Sequence, residues 1–145
     1  HMGDYFAHWL RLGNDADPDA LPKIFHVNWF RKDADGRFMW PGFGDNSRVL
    51  AWIFERCDGT AGAVDTPIGR LPSPGSMHLE GLDLGPEQLA ELLAVDPEAW
   101  RAEIGLIEAH FETFGDRLPE ELQRQLSGLA KRIADAPGGL AVPPG

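Results

Sequence analysis

Cysteine is almost absent: Cys57 is the only one in 145 residues. That excludes a disulfide framework and a cysteine-based metal site, and makes a reducing cytoplasm the expected compartment. Basic residues are scarce too, with 13 Lys and Arg against 23 Asp and Glu, for a formal net charge of −10. A nucleic-acid backbone or an anionic membrane surface is held by clustered cations, so neither is an expected partner. No apolar run approaches the roughly 20 residues that span a bilayer, and no signal-peptide pattern opens the chain. There is no phosphate-cradling G-x-x-x-x-G-K-S/T, so no complete triphosphate site lies within these residues.

Metal-ligand spacing is lacking as well. His8, His26, His78 and His110 have no second ligand at helical spacing, and they read as structural or exposed. Asp33, Asp35 and Asp45 fall short of a calcium loop, because Arg37 stands where a ligand should. Cys57 falls on what reads as the apolar side of its helix, so burial is expected and not reactivity.

What is present describes a globular chain, 43% hydrophobic and 25% charged, of the length of one domain and expected to form one structural unit. His1-Met2 reads as a tag remnant. Helical apolar spacing then begins at once in "GDYFAHWLRLG", as in a piece excised from something longer. Asp4 is the expected cap of this first helix, which should end at Gly13. "KIFHVNWF" (23–30) is rich in β-branched and aromatic residues and predicts a strand, and Asp35-Gly36 predicts a hairpin turn after it. A helix follows, capped by Asp45, Asn46 or Ser47, with Val49, Leu50, Ile53, Phe54 and Cys57 as its apolar positions. Residues 58–85 are rich in Gly and Pro and allow at most short edge strands.

Three amphipathic helices complete the chain. One starts at Pro86 with Leu89, Leu92 and Leu93 on one side. The next opens at Asp96-Pro97 with Trp100, Ile104, Ile107, Phe111 and Phe114 on a stripe, and stops at Gly115. The last begins near Pro119 with Leu122, Leu126, Leu129 and Ile133. Residues 137–145 read as a flexible tail. The fold class is α+β, largely helical, with a small aromatic β-hairpin.

Chemistry concentrates in "NWFRKDADGRFMWPGFGDNSRVL" (Asn28–Leu50). It places Trp29, Phe30, Phe38, Trp40 and Phe43 in a charged, glycine-punctuated stretch. On strand alternation Phe38 and Trp40 share a face, with Phe30 across the turn. Gly42-Phe43-Gly44 can bring backbone close to a ligand. A base stacked on such rings gains about 1–3 kcal/mol, and the Asn46 amide has the donor and acceptor needed to read a purine edge. The residues alone leave two readings open. In one the aromatics hold a base; in the other they cement the hairpin to the next helix while Asn46 caps it.

"GDYFAHWL", "LPKIFHVNWFRKDADGRFMWPGFGDNSRVLAWIFERCDG" and "DTPIGRLPSP" together resemble the C-terminal part of the GTP-dependent phosphoenolpyruvate carboxykinases, from about Gly3 to Ala136. The resemblance implies an enzyme that converts oxaloacetate and GTP to phosphoenolpyruvate, carbon dioxide and GDP in gluconeogenesis, using Mn2+ or Mg2+. It implies a guanine pocket in which Phe30 and Phe43 sandwich the base and Phe38 closes over it. Asn46 makes polar contact with the base, and Phe43, Gly44, Asp45 and Asn46 form the nucleotide loop, with Trp29 in support. The family usually carries Glu where this chain has Asp45. The family's P-loop, reactive cysteine, metal ligands and oxaloacetate-binding arginines lie upstream of the matching stretch, and Cys57 is not in that cysteine's context. The implied partners are therefore a guanine nucleotide and the missing N-terminal part of the parent, with no catalytic residue and no metal ligand here. The fragment alone is expected to be inactive, and to self-associate through faces such as Phe6, Trp9 and Leu10. The rival expectation is a non-catalytic binding or interaction module, or a structural fragment, that keeps the aromatic hairpin.

Overall fold

A computed structural model describes residues 1–136, so the expected tail lies outside the described residues. The described residues form the helices α1 (Met2–Asp15), α2 (Asn46–Asp58), α3 (Pro86–Leu93), α4 (Pro97–Glu112) and α5 (Glu120–Asp135) and a two-stranded antiparallel sheet, β1 (Ala63–Thr66) and β2 (Gly69–Pro72). This is the expected α+β, largely helical class. Where one unit was expected, the chain separates into two, residues 1–23 with 96–136 and residues 24–95.

The first unit is helical. α4 opens as its sequence predicts, with Asp96 Oδ1 accepting from the Glu98 N–H at 2.9 Å and Pro97 at a position where a missing N–H costs nothing. α4 packs on α5, and both bury one residue of their stripe, Ile104 and Ile133. α1 begins earlier than expected: His1, not Asp4, is its cap, with Nδ1 accepting from the Gly3 N–H at 3.2 Å. Gly3 permits a close approach, because a Cβ there would overlap the Arg117 carbonyl. Asp4 instead pairs with Arg117 at 3.1 Å. The Phe114 ring collects edge contacts from Phe6 at 5.7 Å and from the exposed His110 at 5.1 Å.

The second unit is organised by one residue the helical pattern did not single out. Trp52 is 5% exposed, and its indole N–H is shared between Gly62 O at 3.2 Å and Ser76 Oγ at 3.1 Å. The Phe25 ring meets it edge-on at 6.1 Å. At 100° per residue, Leu50, Phe54 and Cys57 lie about 140–160° around α2 from Trp52. That places Cys57 in solvent and not in the core as expected. The expected strand over 23–30 is also not formed. Ile24 is exposed, and Asn28 Oδ1 accepts from the Phe30 N–H at 2.9 Å, a local turn that competes with strand pairing. The short edge strands allowed in the Gly/Pro-rich connection do form, as β1 and β2 in register from Ala63↔Pro72 to Thr66↔Gly69.

Candidate functional site

The aromatic hairpin is built by Asp33. Its Oδ1 accepts from the backbone N–H groups of Asp35 (3.0 Å) and Arg37 (2.9 Å), and its Oδ2 from Arg37 Nε (3.1 Å). Those bonds, led by the Arg37 backbone N–H, hold the carboxyl below its ordinary value. The Gly36 N–H returns to Asp33 O at 3.0 Å, and the Asp33 N–H reaches Arg37 O at 2.9 Å. With Gly36 at φ 80°, this is a turn followed by a one-residue bulge, which glycine adopts without steric cost. The hairpin signal in the sequence is therefore real, but the ladder is a single bridge, Lys32↔Phe38.

That brevity sets the faces. Alternation ends at Phe38, and the chain bends at Trp40 before Pro41. Trp40 turns inward to 5% exposure while Phe38 stays 59% exposed, so the expectation that they share a face does not hold. Phe30 and Phe38 do come together, edge to face at 6.0 Å, and the Lys32 ammonium stands 5.1 Å from the Phe38 centroid. Phe30 is 71% exposed. Trp29, next in sequence to Phe30, is half-buried.

The nucleotide-loop candidates form the entry to α2. A 3-10 turn, Phe43–Asp45, runs directly into the helix. Phe43 has φ 48°, the only positive value on a non-glycine residue among those described, and its side chain is 97% exposed. The Gly44 carbonyl accepts from Ser47 Oγ at 2.6 Å. Asp45 Oδ1 accepts from Arg48 Nε at 2.9 Å, so this carboxylate is turned to the helix. Arg48 Nη1 continues to His78 O at 2.8 Å. Asn46 Oδ1 accepts the Trp40 indole N–H at 2.9 Å; the asparagine is anchored to the hairpin and does not cap α2.

Two supports were beyond sequence reasoning. Arg31 Nη1 donates to Leu92 O (2.8 Å) and Ala94 O (2.9 Å) at the end of α3, satisfying carbonyls that the helix leaves open and pinning the hairpin's first arm. His78, expected to be solitary, hydrogen-bonds Glu55 at 2.9 Å, and that carboxylate raises the imidazole pKa above its ordinary value. Partners 61 and 23 residues away leave no periodic trace in a sequence. Among the described residues no group of three His, Cys, Asp or Glu is placed to hold a metal ion, and no helix is long and apolar enough to cross a membrane.

Residues 1–132 match the family model described as phosphoenolpyruvate carboxykinase C-terminal P-loop domain. Curated relatives agree. The phosphoenolpyruvate carboxykinase (GTP) of Treponema pallidum is 54% identical over 139 residues, 95% of this chain. Those of Paenarthrobacter aurescens and Renibacterium salmoninarum are 52% and 53% identical over 131 residues, 90% of this chain. The chain spans 22% of the length of each of these relatives.

Proposed function

The chain belongs to the GTP-dependent phosphoenolpyruvate carboxykinase family, and from that premise we propose that it is the guanine-binding portion of such an enzyme. Phe30 and Phe43 take the two faces of the base, Phe38 closes over it, and Asn46 meets its edge, with Trp29 behind the platform. One observation carries this reading. Three phenyl rings are exposed to solvent around a single hairpin, and one of them, Phe43, stands on backbone that a phenylalanine adopts only at a cost. Rings that cement a core are buried, and strain that gains no packing marks a binding loop.

The whole enzyme, in this proposal, is a cytoplasmic lyase of gluconeogenesis. Oxaloacetate loses carbon dioxide to give an enolate, and the enolate oxygen takes the γ-phosphoryl group of GTP, leaving GDP. The chain spans 22% of its relatives' length, and the phosphate, oxaloacetate and metal contacts are supplied by the remainder. The residues described do not fit the Mn2+ or Mg2+ that the family uses, because no three His, Cys, Asp or Glu among them are placed together. Asp45, engaged with Arg48, contributes to the nucleotide loop through its backbone.

By itself the chain is catalytically inert and binds nucleotide weakly. Stacking and one polar contact are worth a few kcal/mol, a millimolar dissociation constant before ordering costs. In an NMR titration GDP shifts the Phe30, Phe38, Phe43 and Asn46 resonances at millimolar concentration, and ATP shifts them less. Micromolar binding without base preference overturns the proposal, as does silence of those four residues. Silence would favour the second reading, a structural fragment.

A further inference from the structure

We propose that Trp40 is a positioning residue for base selection, fixing which end of the Asn46 amide faces the nucleotide. An indole N–H can only donate, so the Asn46 atom 2.9 Å from it is the carbonyl oxygen. The orientation of that amide follows from the chemistry of its partner. Trp40 is 5% exposed, which shields the bond from water. A flipped amide would set its NH2 against the indole N–H, two donors with no acceptor between them. With its oxygen committed to Trp40, Asn46 offers the base its NH2 group.

A donor at that place accepts a purine carrying a keto oxygen at C6 and opposes one carrying an amine there. On the N7–C6 edge of the ring N7 is an acceptor in both, so the C6 substituent is what a donor there tells apart. This inference rests on the base-site reading above and adds the residue that sets the site's polarity. Strand alternation assigns Trp40 to the stacking platform, whereas its place in the fold is behind the reader.

The test is an NMR titration of the full chain with GMP, IMP and AMP. GMP and IMP are expected to bind about tenfold tighter than AMP, the worth of one hydrogen bond exchanged for a donor–donor clash. The Asn46 NH2 resonances move with the two keto purines. In Trp40→Phe the preference falls to about twofold or less while the Phe30 and Phe43 rings still respond, because the freed amide presents either end. A folded Trp40→Phe that keeps the full preference overturns the inference, as does equal binding of IMP and AMP by the unaltered chain. Failure of every purine to move Phe30 and Phe43 would overturn the base site itself. Should Trp40→Phe not fold, hydrogen exchange in the unaltered chain decides. The Trp40 indole N–H exchanges far more slowly than that of exposed Trp9, and comparable rates overturn the inference.

Discussion

Phe43 joins a positive φ to a ring almost wholly in water. The left-handed region costs a side chain with a Cβ about 1–2 kcal/mol relative to glycine, and 97% exposure means no burial offsets it. Phe43→Gly is therefore expected to melt at the same temperature as the unaltered chain or a few degrees higher, while GDP affinity falls about tenfold with the loss of one stacking face. Thermal melts beside a GDP titration check both halves. A variant that melts several degrees lower would make Phe43 a structural residue. At this scale the sequence displayed residue types faithfully and geometry poorly. The aromatic cluster and the Asn46 amide are visible in the letters. That Trp40 faces inward is not, because it depends on a ladder one bridge long.

Among the elements, α2 shows both what periodicity reads and what it misses. Its limits follow from the Gly42–Gly44 approach and the Gly59 stop, and the helix does lie where the pattern predicts. Its buried face was misassigned because Leu50, Phe54 and Cys57 look like a stripe, whereas the connection after the helix offers its polar groups to Trp52. Long-range hydrogen bonds chose the face, and periodicity carries no record of them. The strand expected over 23–30 failed for a comparable reason, a side-chain turn at Asn28 outcompeting propensity. The same connection is held to α2 by His78 and Glu55. A raised histidine pKa stabilises the fold fully below the unfolded value of 6.5, and that contribution is lost as pH rises through the higher folded value. His78→Gln should therefore lower the melting temperature at about pH 5.5 and have little effect at about pH 8.5, either side of the histidine range. Because the ring is largely exposed, the difference will be small. Equal effects at the two pH values would remove the imidazolium from the account.

Over the whole molecule, an acidic chain carries an apolar stripe on α1. Met2, Tyr5, Trp9 and Leu12 follow one another at helical spacing and are all exposed, while Phe6 is taken up by Phe114. The exposed apolar face expected on this helix is present but shifted: Trp9 belongs to it, and Phe6 and Leu10 are half-buried. Copies carrying a charge of −10 repel one another, and salt screens that repulsion. Self-association is expected to increase with both protein and salt concentration, and Trp9→Glu to suppress it. Sedimentation that finds the unaltered chain monomeric in concentrated, high-salt solution would refute this. The placement of the indoles has one more consequence. Of five tryptophans, Trp9 lies in water, whereas Trp40 and Trp52 are enclosed. Exposed indoles emit to the red and enclosed ones to the blue. The protein thus carries two native fluorophore populations, one reporting the surroundings of α1 and the other the packing of the hairpin and α2, separable by colour without a label.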